Sequence, residues 1–314
     1  MTLSIIIPVY NTEAWLEKCV LSCLGGDSEI IIVNDGSTDG SLALAHRLAA
    51  EHPGITVLSQ ENAGLSAARN AGFRAAQGDY VWFVDSDDSL TEGSAEWACA
   101  TVREHPCDYV SVVARNNGTG RRRNVLHVSE DPKAVFRSLK WLDCATMYIW
   151  RRIFLQENNL RFMVGIFFED SELVPKALCN AHSCYISNRH SYNVLVREGS
   201  ITRSRNIKKP YDRITVAEKL FKYAYYSFIE PIDERVIYQR VCVMVNRALL
   251  EMTCFGRQER DEFNTFLSGK EKVLDVFRHS DIARYRFEFM LFRLFKGNYV
   301  AAFRLLNIFK GLKP

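Results

Sequence analysis

No stretch of about 20 uninterrupted apolar residues occurs in the 314-residue sequence, so a membrane-crossing helix is not expected. The opening segment, MTLSIIIPVYN, lacks a basic start and a cleavage site and runs straight into a strand pattern, so it does not read as a signal peptide. Net charge is scarce: 40 Lys+Arg against 37 Asp+Glu leave +3, too little to mark a nucleic-acid protein. The loop after the first strand holds no G-x-G-x-x-G, which disfavours a dinucleotide. The absence of G-x-x-x-x-G-K-[ST] removes the P-loop cradle. The 9 cysteines include no C-x-x-C pair, which excludes the common zinc spacings. Scattered in apolar patterns, they read as free thiols of a reducing, cytosolic compartment. With 47% apolar and 25% charged residues, the composition is that of an ordinary globular protein.

Within the first 84 residues one theme repeats. Strand-like runs at Leu3–Val9, Glu29–Val33, Thr56–Ser59 and Tyr80–Val84 alternate with helical patterns. In NTEAWLEKCVLSCL, Leu16, Cys19, Val20, Cys23 and Leu24 share one helical face behind an Asn11/Thr12 cap. STDGSLALAHRLAA opens with capping residues, and GLSAARNAGFRAAQG closes at Gly78, a plausible C′ glycine. Strands joined by crossover helices predict an α/β domain with a mostly parallel sheet and helices on both faces. From about Cys107, DYVSVVARNNGTGRRRNVLHV predicts a hairpin around an Asn-Asn-Gly turn, with the Arg121–Arg123 run solvated in that turn. From about Lys208 the pattern is helical, RVIYQRVCVMVNRALLEM most clearly.

Ligands of such sheets bind beyond the carboxyl ends of the strands. Those ends carry PVYNTE, NDGSTD, QENAGLSAARN and, after the apolar YVWFV, DSDD with Asp85, Asp87 and Asp88. Without phosphate-cradling glycine motifs, this set suits a divalent cation that in turn holds a phosphate or diphosphate, and Asp85 and Asp87 can address one ligand from alternate positions. Farther on, GIFFEDSELV offers Glu169, Asp170 and Glu172. They are candidate proton acceptors, or ordinary acidic residues at a helix start. His190 reads as a packed histidine rather than a metal ligand.

SIIIPVYNTEAWLEKCVLSCL, EIIIVNDGSTDGS and ENAGLSAARNAGFRAAQGDYVWFVDSDD resemble the N-terminal half of the family 2 inverting glycosyltransferases of the GT-A fold. The resemblance resumes at IFFEDSELVPKAL and VREGSITRS. It implies a nucleotide-sugar donor, usually a UDP-sugar, with Pro8, Val9 and Tyr10 cradling the base and Glu13 nearby. Asp35 is expected to read the base edge and Arg69 to face the donor. Asp85 and Ser86 are placed at the nucleoside, Asp87 on a Mn2+ or Mg2+ ion, and Asp88 as a supporting or solvated residue. Asp170 is expected as the base that deprotonates the acceptor hydroxyl, with Glu169 and Trp150 as acceptor-side or supporting residues. Arg197, with Ser200 and Thr202 in the same loop, is expected to close on the diphosphate. Two departures stand out: Phe168 occupies a position where many relatives carry glycine, and Tyr148 one where they often carry lysine, which Arg151 or Arg152 could replace.

The resemblance divides the chain into a catalytic domain over residues 1–205 (donor half 1–90, acceptor half 91–205) and a helical region over 206–314. The tail from Asp281 to Pro314 holds seven Lys/Arg against two Asp/Glu. An apolar face of Phe287, Leu291, Leu294 and Phe295, resumed by Phe303, Leu306 and Phe309, fits an anionic membrane interface or a docked helix pair. An acceptor on a lipid-linked (polyprenyl-diphosphate) glycan, for bacterial surface polysaccharide, fits a peripheral enzyme on the cytoplasmic side of the membrane. The Q-x-x-R-W motif and membrane spans of processive synthases are absent, so a single addition is expected. The alternatives are a sugar-phosphate nucleotidyltransferase, for which PVYNTE is the wrong first loop, or a non-catalytic nucleotide- or carbohydrate-binding subunit.

Overall fold

In the computed structural model the chain forms two compact units, Met1–Thr202 and Arg203–Pro314. The structure describes residues 2–116, 122–123, 131–139, 142–196, 205–227, 229–295 and 297–309. The first unit begins with β1 (Leu3–Val9), α1 (Glu13–Ser22), β2 (Ser28–Asp35), α2 (Ser41–Glu51), β3 (Ile55–Gln60), α3 (Leu65–Ala75) and β4 (Tyr80–Phe83). It continues through β5 (Ser89–Leu90), α4 (Ser94–Glu104), β6 (Tyr109–Asn116), β7 (Arg122–Arg123), α5 (Pro132–Arg137), β8 (Tyr148–Arg151), α6 (Arg152–Glu157), α7 (Glu169–Asn180) and β9 (Cys184–Val194).

One sheet organises the unit, in the order β3-β2-β1-β4-β8-β6-β9-β5, with β7 added to β6. The first four strands are mutually parallel, Ile5 lying opposite Ile30 on one side and Trp82 on the other. Every residue of β1 and of β4 is buried, which is why these strands read as continuous apolar runs rather than alternating ones. The steps from β1 to β2 and β2 to β3 run in one direction, so right-handed crossovers place α1 and α2 on one face. The return from β3 past β1 to β4 places α3 on the other. Packing agrees, with α1 against α2 and α3 across β1 and β2. Leu16, Cys19, Val20 and Cys23 form the buried face of α1, while Leu24 is half-buried.

Gly78 is needed for a reason other than the expected helix stop. α3 ends at Ala75, and a Cβ on Gly78 would lie 2.7 Å from the Ser4 backbone nitrogen and 2.8 Å from the Leu3 carbonyl carbon. The glycine lets two backbones meet where the chain turns into β4.

Beyond β4 the sheet is mixed. β8 pairs antiparallel with β4 and with β6, β9 runs parallel to β6, and β5 closes the order antiparallel to β9. The expected hairpin is present in part: Arg122 and Arg123 are a short strand opposite Arg115 and Ala114, not residues of a turn. Asn117 to Arg121 lie outside the described residues.

The second unit contains α8 (Lys208–Tyr226), α9 (Pro231–Met252), α10 (Arg257–Ser268), α11 (Glu271–Asp275), α12 (Ala283–Leu294) and α13 (Tyr299–Phe309). Leu220, Ile237, Val241, Val245, Leu249, Phe263 and Phe277 are buried in it. Among the described residues no helix is long and apolar enough to cross a membrane.

Candidate active site

Because β3, β2, β1 and β4 are parallel, the loops that follow them gather at one edge of the sheet. Side-chain-to-backbone bonds lace these loops together. Asn11, in the left-handed region at φ 52, accepts at its Oδ1 from the Thr38 N–H at 2.8 Å. The Thr12 N–H donates to Ser41 Oγ at 3.0 Å, and Glu13 Oε2 accepts from the Gly40 N–H at 2.9 Å. Asn11 and Thr12, expected as helix caps, therefore tie the first loop elsewhere, and α1 has no side-chain cap. Pro8 and Val9 are buried strand residues paired with Val33 and Asn34. Their side chains are closed to a nucleobase; Tyr10, 49% exposed, is the residue of this trio with an open face.

Asp35 is also turned inward. It is 3% exposed; Oδ1 accepts from Gln60 Nε2 at 2.7 Å and the Ala63 N–H at 2.9 Å, and Oδ2 from the Gly64 N–H at 2.8 Å. Three donors fix the loop between β3 and α3 and leave this carboxylate little unfilled acceptor capacity. Gly36, at φ +71, sits against the same loop: a Cβ there would fall 2.8 Å from the Asn62 nitrogen.

After β4, the Asp85 N–H donates to Tyr192 Oη at 3.1 Å. Ser86, expected at the nucleoside, is 6% exposed and accepts from Thr12 Oγ1 at 3.0 Å, so its hydroxyl locks the first loop to the fourth. Asp87 is half-buried. Asp88 is not solvated: it is 9% exposed and Oδ1 accepts from the Leu195 N–H at 2.7 Å. Burial, then the neighbouring Asp85 and Asp87 carboxylates, push its pKa up to about 8.

The centre of the arrangement is Arg69 on α3. Expected to face the donor, it is 1% exposed and spends its guanidinium inside the protein. Nη2 donates to Asp85 Oδ1 at 2.8 Å, and Nη1 donates to Glu169 Oε1 and Asp170 Oδ1, each at 2.9 Å. Burial alone would lower its pKa, but Asp170, Asp85 and Glu169 together hold it above the ordinary arginine value. The ring of Phe162 lies 5.0 Å below the guanidinium carbon. The next residue, Asn70, clamps the same segment by donating to the Phe162 carbonyl at 2.8 Å and accepting from the Phe162 N–H at 3.0 Å. The A-R-N triplet thus ties the end of β4 to the start of α7, which begins 100 residues after Arg69. A fork that meets several carboxylates in fixed directions is a property of arginine that lysine does not share.

Asp170 lies in the first turn of α7, with its side chain 17% exposed. Its Oδ2 accepts from the Ala145 N–H at 3.2 Å. Burial raises its pKa to about 7, against the opposing pull of Arg69 and with a further push from Glu169 and Asp85. A carboxylate poised there can exchange protons near neutrality. Phe168, the residue before this helix, adopts φ 66. The bend that glycine makes without strain is made here by a phenylalanine.

Several expected residues fall elsewhere. Trp150 is 0% exposed, packed on Tyr109, Tyr148 and Phe154, so it lies behind the site rather than on an acceptor surface. Tyr148 is equally buried and donates to the Leu142 carbonyl at 3.1 Å. Arg151 pairs with Tyr80, and Arg152 Nε donates to the Gly78 carbonyl at 2.7 Å. Both sit at the start of β4, the end opposite Asp85, and do not replace a lysine at Tyr148. His190 Nε2 is 3.2 Å from the Tyr192 carbonyl, a packed strand histidine. Arg197, Ser200 and Thr202 lie outside the described residues. Tyr192 and Ala145, which position Asp85 and Asp170, had no signal in the sequence beyond their nearness to recognisable motifs.

For a metal, the donor chemistry fits in outline. Among the described residues no group of three or more His, Cys, Asp or Glu converges as a ready cation cage. Asp85 and Asp87 remain two carboxylates at an open strand end, and Mg2+ or Mn2+ often takes one or two carboxylates and completes its shell with substrate phosphates and water.

Fold and site define a glycosyltransferase of the GT-A type. Residues 4–168 match the family described as Glycosyl transferase family 2, and the chain belongs to that family. It is 31% identical to the "Uncharacterized glycosyltransferase YibD" of Escherichia coli (strain K12), over 78% of this chain and 79% of that protein. It is 29% identical to the "Cholesterol galactosyltransferase" of Borreliella burgdorferi, over 65% and 63%. Among solved structures, S. aureus TarS 1-349 in complex with UDP-GlcNAc superposes with a TM-score of 0.70 at 19% identity, covering 99% of this chain and 92% of that one. Mannosyltransferase PcManGT from Pyrobaculum calidifontis, in complex with GDP-Man and Mn2+, superposes with a TM-score of 0.56 at 16% identity, over 98% and 87%. Family membership sets aside the nucleotidyltransferase alternative.

Proposed function

We propose that the protein moves one sugar from a UDP-sugar to a hydroxyl of a glycan acceptor, with inversion at the anomeric carbon. One observation carries the reading: a single buried guanidinium, Arg69, fixes Asp85 at the end of β4 and Asp170 at the start of α7 at the same edge of the sheet. Tyr10 offers an exposed ring at that edge for a nucleobase. Asp87, with the Asp85 oxygen that Arg69 does not hold, would bind Mn2+ or Mg2+. Bound there, the cation would supply charge neutralisation for the leaving diphosphate. Asp170 takes the proton of the attacking hydroxyl, its carboxylate oriented through Oδ1 by Arg69 and through Oδ2 by Ala145; each oxygen keeps a further lone pair for that proton. Direct attack by the acceptor needs no protein nucleophile, which is the basis for assigning inversion.

The donor assignment is supported by structural neighbours in complex with UDP-GlcNAc and GDP-Man, and the metal by the neighbour in complex with Mn2+. The acceptor side of the proposal is a lipid-linked glycan for surface polysaccharide, met by a peripheral enzyme at the cytoplasmic membrane face. The test is nucleotide release from a panel of nucleotide-sugars and glycan acceptors with Mn2+. Asp170→Asn should lower turnover by about 10²- to 10⁴-fold, the usual range for a lost general base, while leaving nucleotide affinity unchanged. Wild-type turnover in that variant refutes the assignment, and absence of any turnover in the wild type, with nucleotide bound, revives the binding-subunit alternative.

A further inference from the structure

We infer that the outer face of α12 is a docking surface for an anionic lipid bilayer. Phe287, Met290 and Leu294 are 49%, 53% and 69% exposed. At helical spacing they fall within a narrow arc, over roughly 10 Å of helix length. The face expected from the sequence is therefore corrected. Leu291 is 7% exposed and borders the stripe on its buried side, Phe295 is half-buried, Phe303 on α13 is 3% exposed, and Met290 joins the outer stripe instead.

Charge identifies the occupant. Arg286 and Arg293 are exposed and flank the stripe on one side; Arg284 flanks it on the other. Arg286 also donates to the Ser280 carbonyl at 2.6 Å, which steadies it beside the stripe. The acid of α12, Glu288, is 0% exposed and is occupied by Arg284 at 2.6 Å and Asn246 at 2.8 Å. The solvent side of α12 is thus apolar in the middle and cationic along the Arg286 and Arg293 edge, while Arg284 on the other edge is paired with the buried Glu288. A second copy of the chain meeting this face about a two-fold axis would bring arginines against arginines. Anionic headgroups around an acyl boundary satisfy both parts at once. At twelve residues the helix is too short to span, so it would lie in the interface.

This surface deepens the membrane part of the proposed function, but its test is independent of turnover. The purified full-length protein is sedimented with vesicles of phosphatidylcholine alone or mixed with phosphatidylglycerol. It should bind the mixed vesicles and not the neutral ones, with binding weakened by added salt. Arg286→Gln and Arg293→Gln should each weaken it about fivefold, the loss of roughly 1 kcal/mol per basic residue near an anionic surface. Phe287→Ser with Met290→Ser and Leu294→Ser should abolish it while far-ultraviolet circular dichroism and nucleotide binding stay unchanged, since all three side chains lie on the outside. Equal vesicle binding by that triple variant overturns the inference. So does a wild-type protein that binds nucleotide yet ignores anionic vesicles, or one that forms a dimer abolished by the triple variant.

Discussion

Replacing Arg69 by methionine keeps the length of the side chain and removes the charge that three carboxylates share. Each lost charge-assisted bond is worth about 1.5–3 kcal/mol, but burying the arginine has its own cost, so the sum overstates the effect. Breaking a buried ion pair by deleting one partner typically costs about 3–5 kcal/mol, and we expect that loss at pH 8 in EDTA, measured by urea unfolding. The loss should depend on pH. Asp170, with a pKa of about 7, is ionised at pH 8 and draws on Arg69; at pH 5.5 it is mostly protonated and draws on it less. The variant should therefore lose less stability at pH 5.5 than at pH 8. Because Arg69 is the principal influence holding the Asp170 pKa down, the acid limb of the activity profile should also move to higher pH. Arg69→Lys keeps the charge without the fork and should recover part of the stability. A loss below about 1 kcal/mol at pH 8, or a loss that grows toward pH 5.5, would refute the account of Arg69 as the shared counter-ion.

Two further expectations concern the frame around the site. Asp88 has its folded pKa raised to about 8 from an unfolded value of about 3.9. Its contribution is therefore fully present below about pH 4 and lost as pH rises through about 8. Asp88→Asn, whose amide oxygen can still accept from Leu195, should gain thermal stability relative to the wild type between pH 5 and pH 9 in EDTA; a constant difference across that range would contradict the burial argument. Gly78→Ala drives a Cβ into the Ser4 and Leu3 backbone and should cost about 1–3 kcal/mol, seen as a lower urea midpoint with unchanged slope.

What the sequence disclosed follows from how local each cause is. β1, β2 and β4 were legible because both faces of each are covered or nearly so, and their apolar runs need no partner to be recognised; β3, the partly exposed edge strand, was legible from its place in the alternation of strands and helices. β8 was not legible as the neighbour of β4, since that pairing joins Val81 to Trp150 across a long stretch of chain. The D-x-D was visible at the end of an apolar strand and the E-D pair through the family resemblance, but the contacts of Arg69 were not. Nothing local to S-x-A-R-N tells that Glu169 and Asp170 return to it, so a helix arginine facing the donor was expected where a buried counter-ion stands. The partners of Asp35 were hidden in the same way, because its three donors come from the next strand and loop. Trp150 and Leu291 show the limit of pattern alone: an aromatic beside a motif and a leucine at helical spacing both turned out to be core.

Asp85 and Asp87 are proposed to form a cation-dependent nucleotide site that is separable from Asp170. Calorimetric titration of UDP with and without Mn2+ into the wild type, Asp87→Asn and Asp170→Asn tests it most directly. Mn2+-dependent UDP binding is expected in the wild type and in Asp170→Asn, and at least about tenfold weaker binding in Asp87→Asn, a difference of about 1.4 kcal/mol. UDP affinity that is the same with and without Mn2+, or unchanged by Asp87→Asn, would contradict it.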